Sequence, residues 1–308
     1  MRLRLGTRGS PLALRQSRQI AAELERRGVT IELIEIRTSG DVFTGSLLAA
    51  GGKGLFVKEI EAALLAGGID VAVHSLKDVP AVLPAGLALV ATPPREDPRD
   101  VLVSRGGDGL AGLAAGAKVG TSSLRRRAQL LARRRDVVPI AIRGNVDTRL
   151  RKLADGDVDA VLLAAAGLRR LGLAPAGAVV LPPEEFVPAI GQGALALETR
   201  ADDAAACAAL RALDDAPSAA AVAAERAFLV AIGGDCQTPI AAHARAIGAD
   251  LTMRAMVSEI DGGGALEDVI TGPVADAAAL GARLAAALLG RGAAAIIARA
   301  RASIAGAP

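Results

Sequence analysis

Tryptophan and tyrosine are absent from this chain of 308 residues, and four phenylalanines are its only aromatics. So few rings leave little on which nucleic-acid bases could stack. Cysteine and histidine are scarce as well. Cys207 and Cys236 lie too far apart for a CxxC pair, and His74 and His243 cannot make a three-histidine centre, so no metal site is expected. Long hydrophobic runs are missing. Alanine-rich stretches are broken by charge or glycine before the ~18 to 20 residues that a membrane span needs, which argues against a membrane protein. The opening MRLRLGTRGSPLALRQS threads Arg2, Arg4, Arg8, Arg15 and Arg18 through what would be a signal core, so a cytoplasmic protein with reduced thiols is expected. An excess of one charge sign is lacking too: 36 basic against 33 acidic side chains leave +3, which speaks against a nucleic-acid partner.

What the chain does have is apolar substance, 52% of its residues, which excludes disorder. At roughly 100 to 150 residues per domain the length predicts two or three units with real cores. Strand-like runs at 2–7, 30–38, 69–75 and 87–92 alternate with helical patterns at 11–27 and 55–66, the signature of parallel α/β layers. Ser10 and Pro11 suit the start of the first helix. A second unit repeats the style, with strands at 100–104, 117–121, 137–143, 159–166 and 178–182 and helices at 122–135, 146–155 and 167–171. Proline-rich passages at 91–100 and 181–193 bracket it as linkers. The run 194–200 reads as a strand able to return to the first sheet, and helices follow at 202–213 and 217–232. Strands near 239–247, 250–259 and 265–271 before a helix at 275–289 make a smaller α+β unit.

Chemistry gathers at strand ends. VHSLKDVP (73–80) sets His74, Ser75, Lys77 and Asp78 after a predicted parallel strand, where open α/β sheets place ligands. Asp78 suits a general acid/base, and Lys77 an anion partner or a Schiff-base amine; the plainer alternative is a turn-capping aspartate beside an exposed lysine. GTSSLRRR (120–127) and RGNVDTRLRK (143–152) each follow a strand and open a helix, so backbone N–H groups, Ser122, Ser123, Arg125, Arg126, Arg143 and Arg149 can face carboxylates or phosphates. A solvated basic face is the alternative, and it fits Arg133, Arg134 and Arg135 better. GGKG (51–54) lacks the spacing of a nucleotide-binding P-loop, and the GxGxxG at 107–112 is read as a surface turn. Cys207 reads as a small core residue, whereas Cys236 in GGDCQTPI (233–240) sits in a loop able to present its thiol.

Taken in order, GGKGLFVKE, VHSLKDVP, GTSSLRR, RGNVDTRL, AIGQGALA and the late loop cysteine resemble the porphobilinogen deaminase (hydroxymethylbilane synthase) family along essentially the whole chain. The resemblance implies a transferase that joins four porphobilinogen molecules into linear hydroxymethylbilane, releasing ammonia each time, on a dipyrromethane cofactor held by a thioether to Cys236. It gives Asp78 the acid/base role, in losing the aminomethyl nitrogen, stabilising the azafulvene cation and removing the proton from the new link. Cofactor and substrate carboxylates would meet Arg8, Ser10, Lys53, Ser75, Lys77, Ser123, Arg125, Arg126, Arg143, Arg149, Arg170 and Gln192, with Phe56 near the active site. It further implies a cytoplasmic monomer that passes its product to uroporphyrinogen-III synthase. The implied fold is three α/β domains: 1–93 with 194–213, and 99–187, both like class II periplasmic binding protein lobes with parallel-rich sheets, then a smaller α+β domain, 216–308. Three residues depart from the family pattern: Ala49 for a usual lysine, Ser39 for a usual basic residue, and Asp235 for the glycine before the cysteine, whose charge is expected to raise the thiol pKa slightly and slow cofactor loading. A two-lobed receptor for a dicarboxylate, without catalysis, is the competing reading.

Overall fold

The computed structural model describes residues 1–42, 54, 56–234 and 238–305. The first lobe is built from β1 (Arg2–Thr7), α1 (Pro11–Glu25), β2 (Thr30–Glu35), α2 (Ser39–Val42), α3 (Lys58–Leu65), β3 (Val71–Ser75) and β4 (Leu87–Ala91). The second contains β5 (Asp100–Ser104), β6 (Lys118–Gly120), α4 (Leu124–Arg133), β7 (Val138–Ile140), α5 (Val146–Asp155), β8 (Ala160–Ala164), α6 (Ala165–Leu171) and β9 (Ala178–Val180). The chain then continues through β10 (Leu195–Arg200), α7 (Ala204–Arg211) and α8 (Ala216–Ile232) to β11 (Ile240–Ile247), β12 (Asp250–Val257), β13 (Leu266–Pro273), α9 (Ala277–Gly290) and α10 (Ala293–Ala305).

Two five-stranded sheets share one plan. Their orders are β2-β1-β3-β10-β4 and β7-β6-β8-β5-β9, so each lobe arranges its own strands as second, first, third and fourth, with one visiting strand between the last two. The visitor is antiparallel in both cases: β10 against β3 and β4, β5 against β8 and β9. β1 runs parallel to β2 and β3, as β6 does to β7 and β8. The central strands are apolar on both faces, as sheets covered by helices require: Val71, Val73, Val101, Val103, Val161 and Leu163 are buried on one face of their strands and Ala72, Leu102 and Leu162 on the other. The fold is therefore α/β with parallel-rich sheets, and 194–200 does return to the first of them. The third unit is the antiparallel sheet β11-β12-β13, packed against α8, α9 and α10 around Phe228, Met253 and Leu284.

Local signals explain most element starts. Ser10 Oγ accepts the Ala13 N–H at 3.3 Å to cap α1, whose Ser17, Ile20, Ala21 and Leu24 recur at helical spacing and face the core. Residues 105–116 form turns, with Gly107 and Gly109 at φ +74° and +67°, so the GxGxxG is a surface turn. The differences from expectation are local. The run 159–166 stops being a strand at Ala164, because Ala165 and Ala166 enter α6, and alanine favours helix. Strand 30–38 ends at Glu35, and 137–143 shrinks to Val138–Ile140. Helix α10 was not expected, although Ala293, Ile296, Ile297 and Ala300 are buried at helical spacing.

The two crossover segments, 92–99 and 181–194, bond to each other rather than running apart. Glu96 N–H donates to Gly193 O at 3.2 Å, and Gln192 Nε2 donates to Pro98 O at 2.7 Å. Gly193 has φ +86°, and a Cβ there would stand 2.2 Å from Glu96 O, so only glycine fits. Arg95 Nε donates to Gln192 O at 2.9 Å while its Nη1 meets Glu225 of α8 at 2.6 Å. This largely buried pair fastens the third unit to the crossover.

Candidate active site

Asp78 lies in a 3-10 turn, Leu76–Asp78, immediately beyond the carboxyl end of β3. Leu76 is buried and anchors the turn, which leaves Lys77 exposed and Asp78 half-buried. Arg8, Gln16, Phe56, His74, Ser75 and Asp78 line one cleft. Within it the Arg8 guanidinium sits 4.1 Å from the Phe56 ring centroid and bonds Asp41 through Nε (3.1 Å) and Nη2 (2.5 Å). Burial would raise the Asp41 pKa, but hydrogen bonds from Arg8 and Thr38 outweigh it and hold the carboxyl below its ordinary value. Gln16 Nε2 donates to Ser75 Oγ at 2.9 Å, so α1 positions the serine. Ser10 caps α1, with its hydroxyl spent on the backbone. In the wall of the cleft, His74 Nε2 meets Glu198 of β10 at 2.9 Å, with both side chains buried.

The second lobe contributes the first turn of α4. Ser123 caps it by accepting the Arg126 N–H, which orients the two arginines that follow. They are buried, Arg125 at 4% and Arg126 at 6% exposure, against a carboxylate that is wholly enclosed. Arg125 Nη1 donates to Asp100 Oδ2 at 2.7 Å and to Val187 O at 2.7 Å; Arg126 Nε donates to Asp100 Oδ1 at 2.9 Å and its Nη1 to Leu162 O at 3.0 Å. Gln192 Nε2 also donates to Asp100 Oδ1, at 3.0 Å. Burial by itself would raise Asp100, but Arg125 and Arg126 overcome it and bring the carboxyl down to about 2.

These groups share one electrostatic neighbourhood. Although Lys77 stands exposed at the turn, desolvation by the protein packed around its ammonium lowers it to about 8; Asp78 and Asp100 oppose the fall, and Arg126 and Arg125 add to it. Arg149 donates from Nε to Gly144 O at 2.9 Å and is lowered to about 10 by burial and then by the charges of Arg126 and Arg143. Arg143 itself is half-buried. Arg170 Nη2 donates to Gly193 O at 2.7 Å, and burial lowers it to about 10 against the pull of Glu96. Lys53 and Cys236 lie outside the described residues, as do Ala49 and Asp235. Among the described residues no cluster of three His, Cys, Asp or Glu side chains is arranged to hold a metal, and no single helix is long and apolar enough to cross a membrane.

Sequence reasoning missed Gln16, Asp41 and Asp100. Only Asp100 left a signal, as an acid at the seam between the proline-rich linker and an apolar strand, and it reads there as an ordinary strand start.

Two lobes of one sheet plan, paired crossovers and an aspartate turn within the electrostatic reach of Arg125 and Arg126 define a two-lobed α/β protein with a cation-rich site. Residues 3–208 match the description "Porphobilinogen deaminase, dipyromethane cofactor binding domain", and 219–290 match "Porphobilinogen deaminase, C-terminal domain". The chain is 52% identical to a porphobilinogen deaminase of Syntrophotalea carbinolica over 92% of its own length and 91% of that protein's. It is 50% identical to one of Geobacter sulfurreducens over 92% and 90%. It belongs to the porphobilinogen deaminase family, and its cofactor is dipyrromethane. Among solved structures, a YaeC-family lipoprotein from Enterococcus faecalis aligns only loosely, with a TM-score of 0.43 at 16% identity over 69% of this chain and 90% of that one.

Proposed function

We propose that this chain condenses four porphobilinogen molecules into hydroxymethylbilane in the cytoplasm, as a monomer whose product goes to uroporphyrinogen-III synthase. The observation that carries the reading is the shared electrostatic neighbourhood of Lys77 and Asp78 with Arg125, Arg126 and Asp100. We divide the chain into 1–93 with 194–213, 99–187, and 216–308. The donor set suits a group bearing many carboxylates: Arg8, Ser75, Lys77, Arg126, Arg143, Arg149 and Arg170 offer charge-assisted hydrogen bonds, and Arg125 Nε is buried without a partner. Lys53 and Cys236 complete the set, the cysteine as the attachment point. When bound, dipyrromethane supplies a covalently held pair of pyrrole rings from which synthesis starts.

Each addition forms one carbon–carbon bond between the aminomethyl carbon of porphobilinogen and a free pyrrole carbon. The amino group leaves as ammonia and the pyrrole carbon loses its proton. Asp78 serves both ends: it steers a proton to the departing nitrogen, faces the cation left behind, and accepts the proton lost from carbon. Lys77 and the arginines orient the acetate and propionate groups, Gln16 holds Ser75, and Phe56 holds Arg8 by a cation–π contact.

Asp78→Ala is expected to retain the covalent adduct and lose at least about 100-fold in turnover, the ordinary worth of a positioned acid/base. Steady-state rates together with intact mass check this. Near-normal turnover removes Asp78 from the mechanism, and an adduct-free, inactive wild type favours a receptor for a dicarboxylate.

A further inference from the structure

Asp100 is wholly buried at the first position of β5, directly after the crossover 92–99. Two successive guanidiniums on the first turn of a helix repel each other and the positive end of the helix. Neither would remain packed at this burial without a counter-charge. Asp100 supplies it, bonding Arg125 through Nη1 and Nη2 and Arg126 through Nε and Nη2. A guanidinium has five N–H donors, so both arginines retain donors beyond those given to Asp100, Val187 O and Leu162 O. The same carboxylate accepts from Gln192, which comes from the other crossover and also holds Pro98 O. One side chain thus joins the arginine-bearing helix to both connections between the lobes.

We propose that Asp100 is the positioning residue of the anion-binding lobe: it holds Arg125 and Arg126 so that their remaining N–H groups meet substrate carboxylates, and through Gln192 it ties that arrangement to both crossovers. The inference rests on the reading that these arginines receive carboxylates. A purely structural ion pair would affect stability alone, whereas a positioning residue sets the affinity of the arginines for their ligand.

The test compares Asp100→Asn, Asp100→Glu and Arg126→Ala in the full chain. Thermal melting and intact mass are measured for each, with KM and kcat for porphobilinogen. Equilibrium binding of porphobilinogen is measured in an Asp78→Ala background. Asp100→Asn is expected to raise KM and the dissociation constant at least about tenfold, as for loss of a charged hydrogen bond, with a smaller change in kcat. Asp100→Glu, which keeps the charge, should lie between the Asn variant and wild type, and it carries the test if the Asn variant fails to fold. Lowered melting with unchanged KM and binding would overturn the proposal while Arg126→Ala still weakens binding. Unchanged binding in Arg126→Ala would instead refute the carboxylate reading on which it rests.

Discussion

His243, on β11, is kept neutral by its surroundings: burial lowers its imidazole to about 4, with Glu225 opposing and Arg95 assisting. Unfolded, the same group titrates near 6.5, so the unfolded chain binds more protons between the two values. Its contribution to stability is complete above pH 6.5 and is lost as pH falls towards 4, in total about 3 kcal/mol. Denaturant unfolding of wild type and His243→Gln across that window checks this. The variant should flatten the acid limb, and parallel curves would contradict the assignment. At this scale the sequence was legible for placement after a strand, as for Asp78 beyond β3 and Arg126 in the helix that follows β6. It was opaque for Asp100, because a carboxylate's worth there depends on Arg125, 25 residues on, and Gln192, 92 residues on. Nothing local marks such partners.

Among the elements, periodicity located every strand described, since half- or fully buried strands must carry apolar residues in short runs. It erred where alanine dominates, because alanine neither distinguishes a core face from a surface nor marks a boundary: hence the missed α10 and the strand reading of Ala165 and Ala166. Docking between elements was equally hidden. Gly262, in the β12–β13 connection, has φ +81°, and a Cβ there would stand 2.4 Å from Ala132 N and 2.7 Å from Ala128 O on α4, the helix whose first turn carries Arg125 and Arg126. The third unit therefore rests on the arginine helix through a glycine. Gly262→Ala is expected to cost about 1 to 3 kcal/mol, from backbone strain and overpacking. A denaturant midpoint indistinguishable from wild type would show that the loop is not pressed against α4 in solution.

Across the whole molecule, the net charge of +3 conceals a local field. Acids offset the total, while Arg126 acts both on Lys77 of the aspartate turn and on Arg149, which also feels Arg143. Both lobes follow the same strand plan, and each sheet is completed by a strand delivered through a crossover, so a change at Asp100 or Gly193 bears on both lobes at once. The proline-rich passages made the crossovers visible in sequence; their mutual bonding was not, because it pairs Glu96 with Gly193 over a long separation. The absence of tryptophan and tyrosine has a practical use here, since a bound pyrrole chromophore stands against almost no near-ultraviolet absorbance from the chain. The proposed function requires a covalent dipyrromethane at Cys236, and intact mass of the denatured protein tests that most directly. Wild type should carry the added mass of two linked pyrrole units and Cys236→Ser should not; an unmodified wild type, or the same adduct on the serine variant, would contradict it.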